Sequence, residues 1–118
     1  MGYYTSFSVK HNSEDEAEVS AIRDEIYKMN LPEFWENDER TFGAYAKWYD
    51  VDEDMSLLSS KFPQVLFVVD GEGEDGGDLW RMYAYGGAIQ IERAEISYGS
   101  FDIGKLRRIK HDERYSYQ

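Results

Sequence analysis

At 118 residues the chain suits one domain with a single core, and its lack of cysteine excludes a disulfide framework, a thiolate metal centre and a cysteine nucleophile. The net charge of −11 is unevenly placed: residues 1–78 carry 19 acids against 6 bases, a net of −13, and residues 79–118 carry 5 against 7, a net of +2. A field of that sign repels nucleic acid and anionic membrane and draws basic partners.

Strong acidity can signal disorder, but 42% hydrophobic and 16% aromatic residues supply a core. The N-terminus lacks the basic region and apolar run of a signal peptide, and no apolar stretch is long enough to span a bilayer. A soluble, cytoplasmic protein is expected.

Residues 3–10 alternate Tyr3, Thr5, Phe7 and Val9 against Tyr4, Ser6 and Ser8, the period of a half-buried strand. Ser13 with Glu16 reads as a capping box opening a helix, with Glu14, Asp15 and Glu16 where the helix dipole favours negative charge and Glu18 on its polar face. Val19, Ile22, Ile26 and Met29 give that helix one apolar face, and Asn30 and Pro32 end it. The stretch to Arg40 reads as a connection in which Pro32 starts a short helical turn and Phe34 and Trp35 plug the edge of the core.

Residues 41–50 alternate again and predict a second strand. Asp50 with Glu53 repeats the capping pattern, Asp52 lies beside them, and Met55, Leu58 and Phe62 mark a second buried stripe that Pro63 stops. Residues 65–70, VLFVVD, form a continuous apolar run, which predicts a strand in mid-sheet buried on both faces. A glycine-rich acidic tip follows, then LWRMYAY, a Gly86-Gly87 hairpin and AIQIERAEISY, whose apolar positions switch parity as if bulged near Glu92 or Arg93.

Beyond Tyr98 the periodicity is lost; Phe101, Ile103, Leu106 and Ile109 are expected to dock one more turn, and residues 110–118 to form a flexible tail. The chain thus predicts one α+β domain over residues 1–109: a two-layer sandwich of order β-α-β-α-β-β-β, with a mostly antiparallel sheet and two helices on one face.

Chemical motifs are weak. Gly71, Gly73 and Gly76 match G-x-G-x-x-G, but Glu72, Glu74 and Asp75 stand where a pyrophosphate would sit, and a strand follows instead of a helix. Asp50, Asp52 and Asp54, and again Asp70, Glu72 and Glu74, have the opening spacing of a calcium loop; Met55 and Asp75 replace the needed glycine, and Lys61 and Arg81 the closing glutamate. Neither histidine has a triad pattern beside it, so no metal, cofactor or catalytic residue is assigned. A small metal-assisted hydrolase using Glu72, Glu74 or Asp78 is the residual reading. The basic run KLRRIKH, residues 105–111, is read as a neutralising segment.

The ordered motifs KWYDVDEDM, SKFPQVLF, DGEGEDGGDLW and FDIGKL resemble a group of small acidic bacteriophage and prophage-type proteins, over residues 41–106. The resemblance transfers no catalytic residues. It implies an accessory protein acting inside a bacterium, where small acidic chains often inhibit host machinery.

The leading expectation is therefore a non-enzymatic interaction module whose acids, Glu14, Asp15, Glu18, Asp52, Glu53, Glu72, Glu74 and Asp75, occupy a basic, nucleic-acid-binding surface of a host protein. The alternative is a self-associating module, with Tyr45, Tyr49, Tyr83 and Tyr85 on one sheet face forming a homodimer interface. Neither reading involves direct contact with nucleic acid or membrane.

Overall fold

Alternation along Thr5–His11 (β1) sends Thr5, Phe7, Val9 and His11 to one side, and that choice orients the whole sheet. The computed structural model describes residues 3–111. After β1 come α1 (Glu16–Lys28), β2 (Trp35–Asp38), β3 (Thr41–Ala46), α2 (Val51–Lys61), β4 (Phe67–Gly73), β5 (Leu79–Tyr85), β6 (Ala88–Arg93) and a 3₁₀ turn at Ile103–Lys105. The strands form one antiparallel sheet in the order β2-β3-β1-β4-β5-β6.

This is the α+β two-layer architecture the sequence predicts. Register carries the inward face of β1 across the sheet: Val9 lies opposite Phe42 on one side and Val69 on the other, and Val69 opposite Met82. Ile22 and Ile26 of α1 and Met55 and Leu58 of α2 close over these residues in one cluster. The two helices are also joined at their surface by Glu25, which pairs with both Lys61 and Lys28. Those contacts, Lys61 first, hold its carboxyl down at about 2.

Several local expectations are corrected. α1 is capped by Asp15, whose Oδ1 accepts from Ala17 N at 3.0 Å. Ser13 is buried instead below the helix start and donates its hydroxyl to Glu18. Asp50 occupies the N-cap of α2 without a side-chain cap bond. The connection before Arg40 contains an extra strand, β2, in place of a helical turn. Phe34 stacks on Phe42 at 5.8 Å, as a core-edge residue should, whereas Trp35 is 43% exposed.

Strand β3 ends at Ala46, four residues before the predicted boundary. β4 is central but buried on one face only, because both helices lie on the same side. β6 runs in unbroken register with β5, Ala88 opposite Tyr85 through Arg93 opposite Trp80, and simply ends where a bulge was expected. Residues 94–111 are exposed throughout, so Phe101, Ile103, Leu106 and Ile109 are not covered by the described residues of their own domain as expected. Most of the predicted tail, residues 112–118, lies outside the described residues. Among the described residues, no helix is long and apolar enough to cross a membrane.

Candidate interaction surfaces

Topology decides which acids meet. Thr5, at the start of β1, lies opposite both Ala46, the last residue of β3, and Gly73, the last of β4. The N-terminus of α2 and the acidic tip therefore share one end of the sheet. Asp52, Glu53, Glu74 and Asp75 lie at that end, Asp50, Asp54 and Asp78 add to the charge, and Glu72, opposite Ser6 in β4, lies there too but on the helix-free face. Glu14, Asp15 and Glu18 sit at the opposite end, beyond His11, near the β2–β3 turn. Two of these three are engaged locally, Asp15 in capping and Glu18 with Ser13.

The tip itself is tied down. Gly73 N donates to Asp78 O and Asp78 N to Asp75 O, closing a turn in which Gly77 has φ 89°. Tyr3 Oη donates to Asp78 Oδ2 at 2.6 Å and accepts from Asp75 N at 3.0 Å, and Tyr4 N donates to Glu74 Oε2 at 2.9 Å. Arg93 Nη1 lies 2.9 Å from the other oxygen of Asp78. The tip thus forms a fastened acidic corner in place of the flexible projection its glycines suggest. Asp78 is held below the usual carboxylate range, chiefly by the Tyr3 hydroxyl and then by Arg93, so it stays an ionised acceptor.

The four predicted tyrosines do not form one patch. Tyr45 stacks on Tyr4 with ring centroids 5.0 Å apart, and Lys47 lies over the same Tyr4 ring. Tyr49 lies beyond the end of β3, its Oη accepting from Tyr3 N at 2.8 Å. Tyr83 and Tyr85 belong to β5, three strands from β3.

Between them, the helix-free face of the sheet is a shallow groove of about 340 Å³ floored by Ser6, Ser8 and Gly43. Trp35 from β2 walls one side, lying over Gly43 where any Cβ would collide with the indole. On the other side Asp70 is paired with Arg81 at 2.6 Å and reached by Lys10 at 3.9 Å. Asp70 is thus matched by two bases, whereas Glu72, which also lines the groove, has no ion-pair partner among the described residues.

The two histidines sit in different surroundings. His111 is exposed, but His11 is 7% exposed, its Nδ1 accepting from Ser13 N at 3.2 Å and its Nε2 unpartnered. Burial, then the nearby Arg40, push its pKa down, outweighing Glu18, Asp38 and Glu39, which act in the other direction. Among the described residues, no group of three or more His, Asp or Glu is arranged to hold a metal ion.

The surface that sequence reasoning missed is the outer edge of β6 with the exposed segment after it. Its signal was present in the apolar residues that continue past Tyr98 without a period. No protein-family model, curated protein or solved structure matches the chain.

Proposed function

We propose that the protein is a non-enzymatic interaction module that works by charge, its acidic end occupying a basic, nucleic-acid-binding surface of a partner protein. The observation that supports this reading is the placing of Asp52 and Glu53 on a helix start and Glu74 and Asp75 on a fastened turn at one end of the sheet, with Glu72 beside the turn at the end of β4. Carboxylates on rigid elements can imitate the spacing of phosphate charge with little ordering cost on binding. The field of the domain speeds encounter with a cationic surface and disfavours anionic ones. Together with the resemblance to small phage-type proteins, this favours a host-directed inhibitor acting in the bacterial cytoplasm.

The test is capture from bacterial lysate by the tagged protein, and by a variant carrying Asp52→Asn, Glu53→Gln, Glu72→Gln and Glu74→Gln. Wild type is expected to retain a basic nucleic-acid-binding protein at low salt and release it as screening shortens the field to about 3 Å at 1 M. The variant should lose most of the association rate. Recovery of no basic protein, or capture indifferent to both salt and the four substitutions, would overturn the reading.

A further inference from the structure

The two edges of the sheet are built differently. β2 is four residues long, carries Glu36 and Asp38, and shifts register between them, all devices that discourage further pairing. β6 has six residues, AIQIER, in unbroken register with β5, and among the described residues its other side pairs with no strand. It has no proline, lysine or bulge, its two charges, Glu92 and Arg93, are of opposite sign, and Ile89 and Ile91 are 36% and 45% exposed on the side of the sheet that bears the helices. An edge of this kind is a template for another strand.

The segment after β6 leaves the domain. Ala94 N still donates to Leu79 O, and beyond it Ile96, Tyr98, Phe101, Ile103, Leu106 and Ile109 all stand open to solvent. The molecule is consequently drawn out to 63 Å, with a radius of gyration of 20.3 Å, where a compact chain of this length has about 13–14 Å. It exposes 8784 Å², against about 6,600 Å² for a compact monomer of its mass. An excess near 2,000 Å² per chain would place a pair among interfaces of about 2,000–5,000 Å², the range of permanent dimers.

We propose that this surface joins two copies of the chain: β6 pairs antiparallel with β6 of the second copy, and each exposed arm lies along the acidic domain of the other. Charge selects that occupant. From Ile103 to His111 the arm carries Lys105, Arg107, Arg108 and Lys110 and no acid, while residues 3–93 hold 20 acids against 8 bases. The arm's electrostatic complement is thus the protein's own domain, and in one chain the arm points away from it. A nucleic acid seated on the arm would instead be repelled by the field of a chain whose net charge is −11.

The strand is also compatible with itself. With Ile91 opposite its own copy, Gln90 faces Glu92 and Ile89 faces Arg93. With Gln90 opposite its own copy, Ile89 faces Ile91 and Ala88 faces Glu92. Neither register opposes like charges.

Sedimentation velocity on the full chain across about 1–100 µM tests the proposal, since dimer population follows protomer concentration. Wild type should sediment at twice 13.8 kDa. Ile91→Lys on the edge, and separately Phe101→Ser with Ile103→Ser on the arm, should each weaken the dimer roughly tenfold or more. Circular dichroism would verify that folding is unchanged. Because the chain has no cysteine, Ile91→Cys or Gln90→Cys should give a disulfide-linked pair on mild oxidation, which judges the edge even if the lysine variant misfolds. A monomer throughout the range, a dimer indifferent to both sets of variants, or assembly only when duplex DNA is added would overturn it, the last assigning the arm to nucleic acid.

Discussion

Ser59, wholly buried on α2, holds the backbone of Gly87 in the β5–β6 turn: its hydroxyl accepts from Gly87 N at 3.0 Å and donates to Ser56 O at 3.1 Å. One turn earlier, Ser56 donates to Gly87 O at 2.6 Å. Both backbone groups of one glycine are thus satisfied by a helix, and the hairpin is fixed against α2. Ser59→Ala would leave the Gly87 N–H without that partner and should cost about 1–3 kcal/mol in urea denaturation. Ser60→Ala, whose exposed hydroxyl only bonds back to Leu57 O, should stay within about 0.5 kcal/mol of wild type.

Trp80 lies against Gly71 and meets Phe7 edge-on at 5.9 Å, so the glycine is what lets the indole close that side of the core. A Cβ at Gly71 would overlap the ring. Gly71→Ala should destabilise by about 1–3 kcal/mol and shift tryptophan fluorescence. Gly76, where an added Cβ meets nothing within 4 Å, should accept alanine with a change of less than about 1 kcal/mol.

His11 sets a pH dependence. Its folded-state pKa lies below that of the unfolded chain, so protonation favours unfolding. Its contribution is intact above about pH 6.5 and is lost as pH falls below that value toward the depressed folded one. The thermal midpoint of wild type should drop by a few degrees between pH 7.5 and 5.5. His11→Asn, which keeps an acceptor for Ser13 N, should flatten that slope.

Tyr3 governs the order of the tip. Its hydroxyl bridges Asp78 and the Asp75 amide, and its own pKa is raised, chiefly by the Asp78 carboxylate. Tyr3→Phe should accelerate hydrogen exchange at the Asp75 amide several-fold and make the tip easier to nick with protease, while leaving core amides unchanged. Exchange at Asp75 that matches wild type would show that the tip is ordered by its glycine turn alone.

The periods in the sequence carried most of the fold. Thr5, Phe7 and Val9 face inward as their alternation requires, Val19, Ile22 and Ile26 are the buried stripe of α1, and Phe67–Asp70 of the VLFVVD run lie in a central strand. Where reading failed, a competing partner decided the outcome. Ser13 looks like a cap until Glu18 takes its hydroxyl and Asp15 caps the helix instead. β2 is nearly all polar and becomes a strand by pairing with β3, with Trp35 lying over Gly43; the glycine inside the β3 pattern was the only hint.

The acids were legible one by one, but their grouping was not, because only the pairing of β1 with both β3 and β4 brings the start of α2 to the tip. The arm misled for a related reason. Apolar residues announce that they will be covered, and a sequence does not say by which chain.

The unequal edges of the sheet also set how large an assembly can grow. A strand added at β6 leaves only the two short, acidic, irregular β2 edges at the far ends of the joined sheet. Pairing about a two-fold axis uses up the receptive edge of both copies at once. The sheet therefore terminates itself after a single addition, which separates a finite twelve-stranded particle from a fibre.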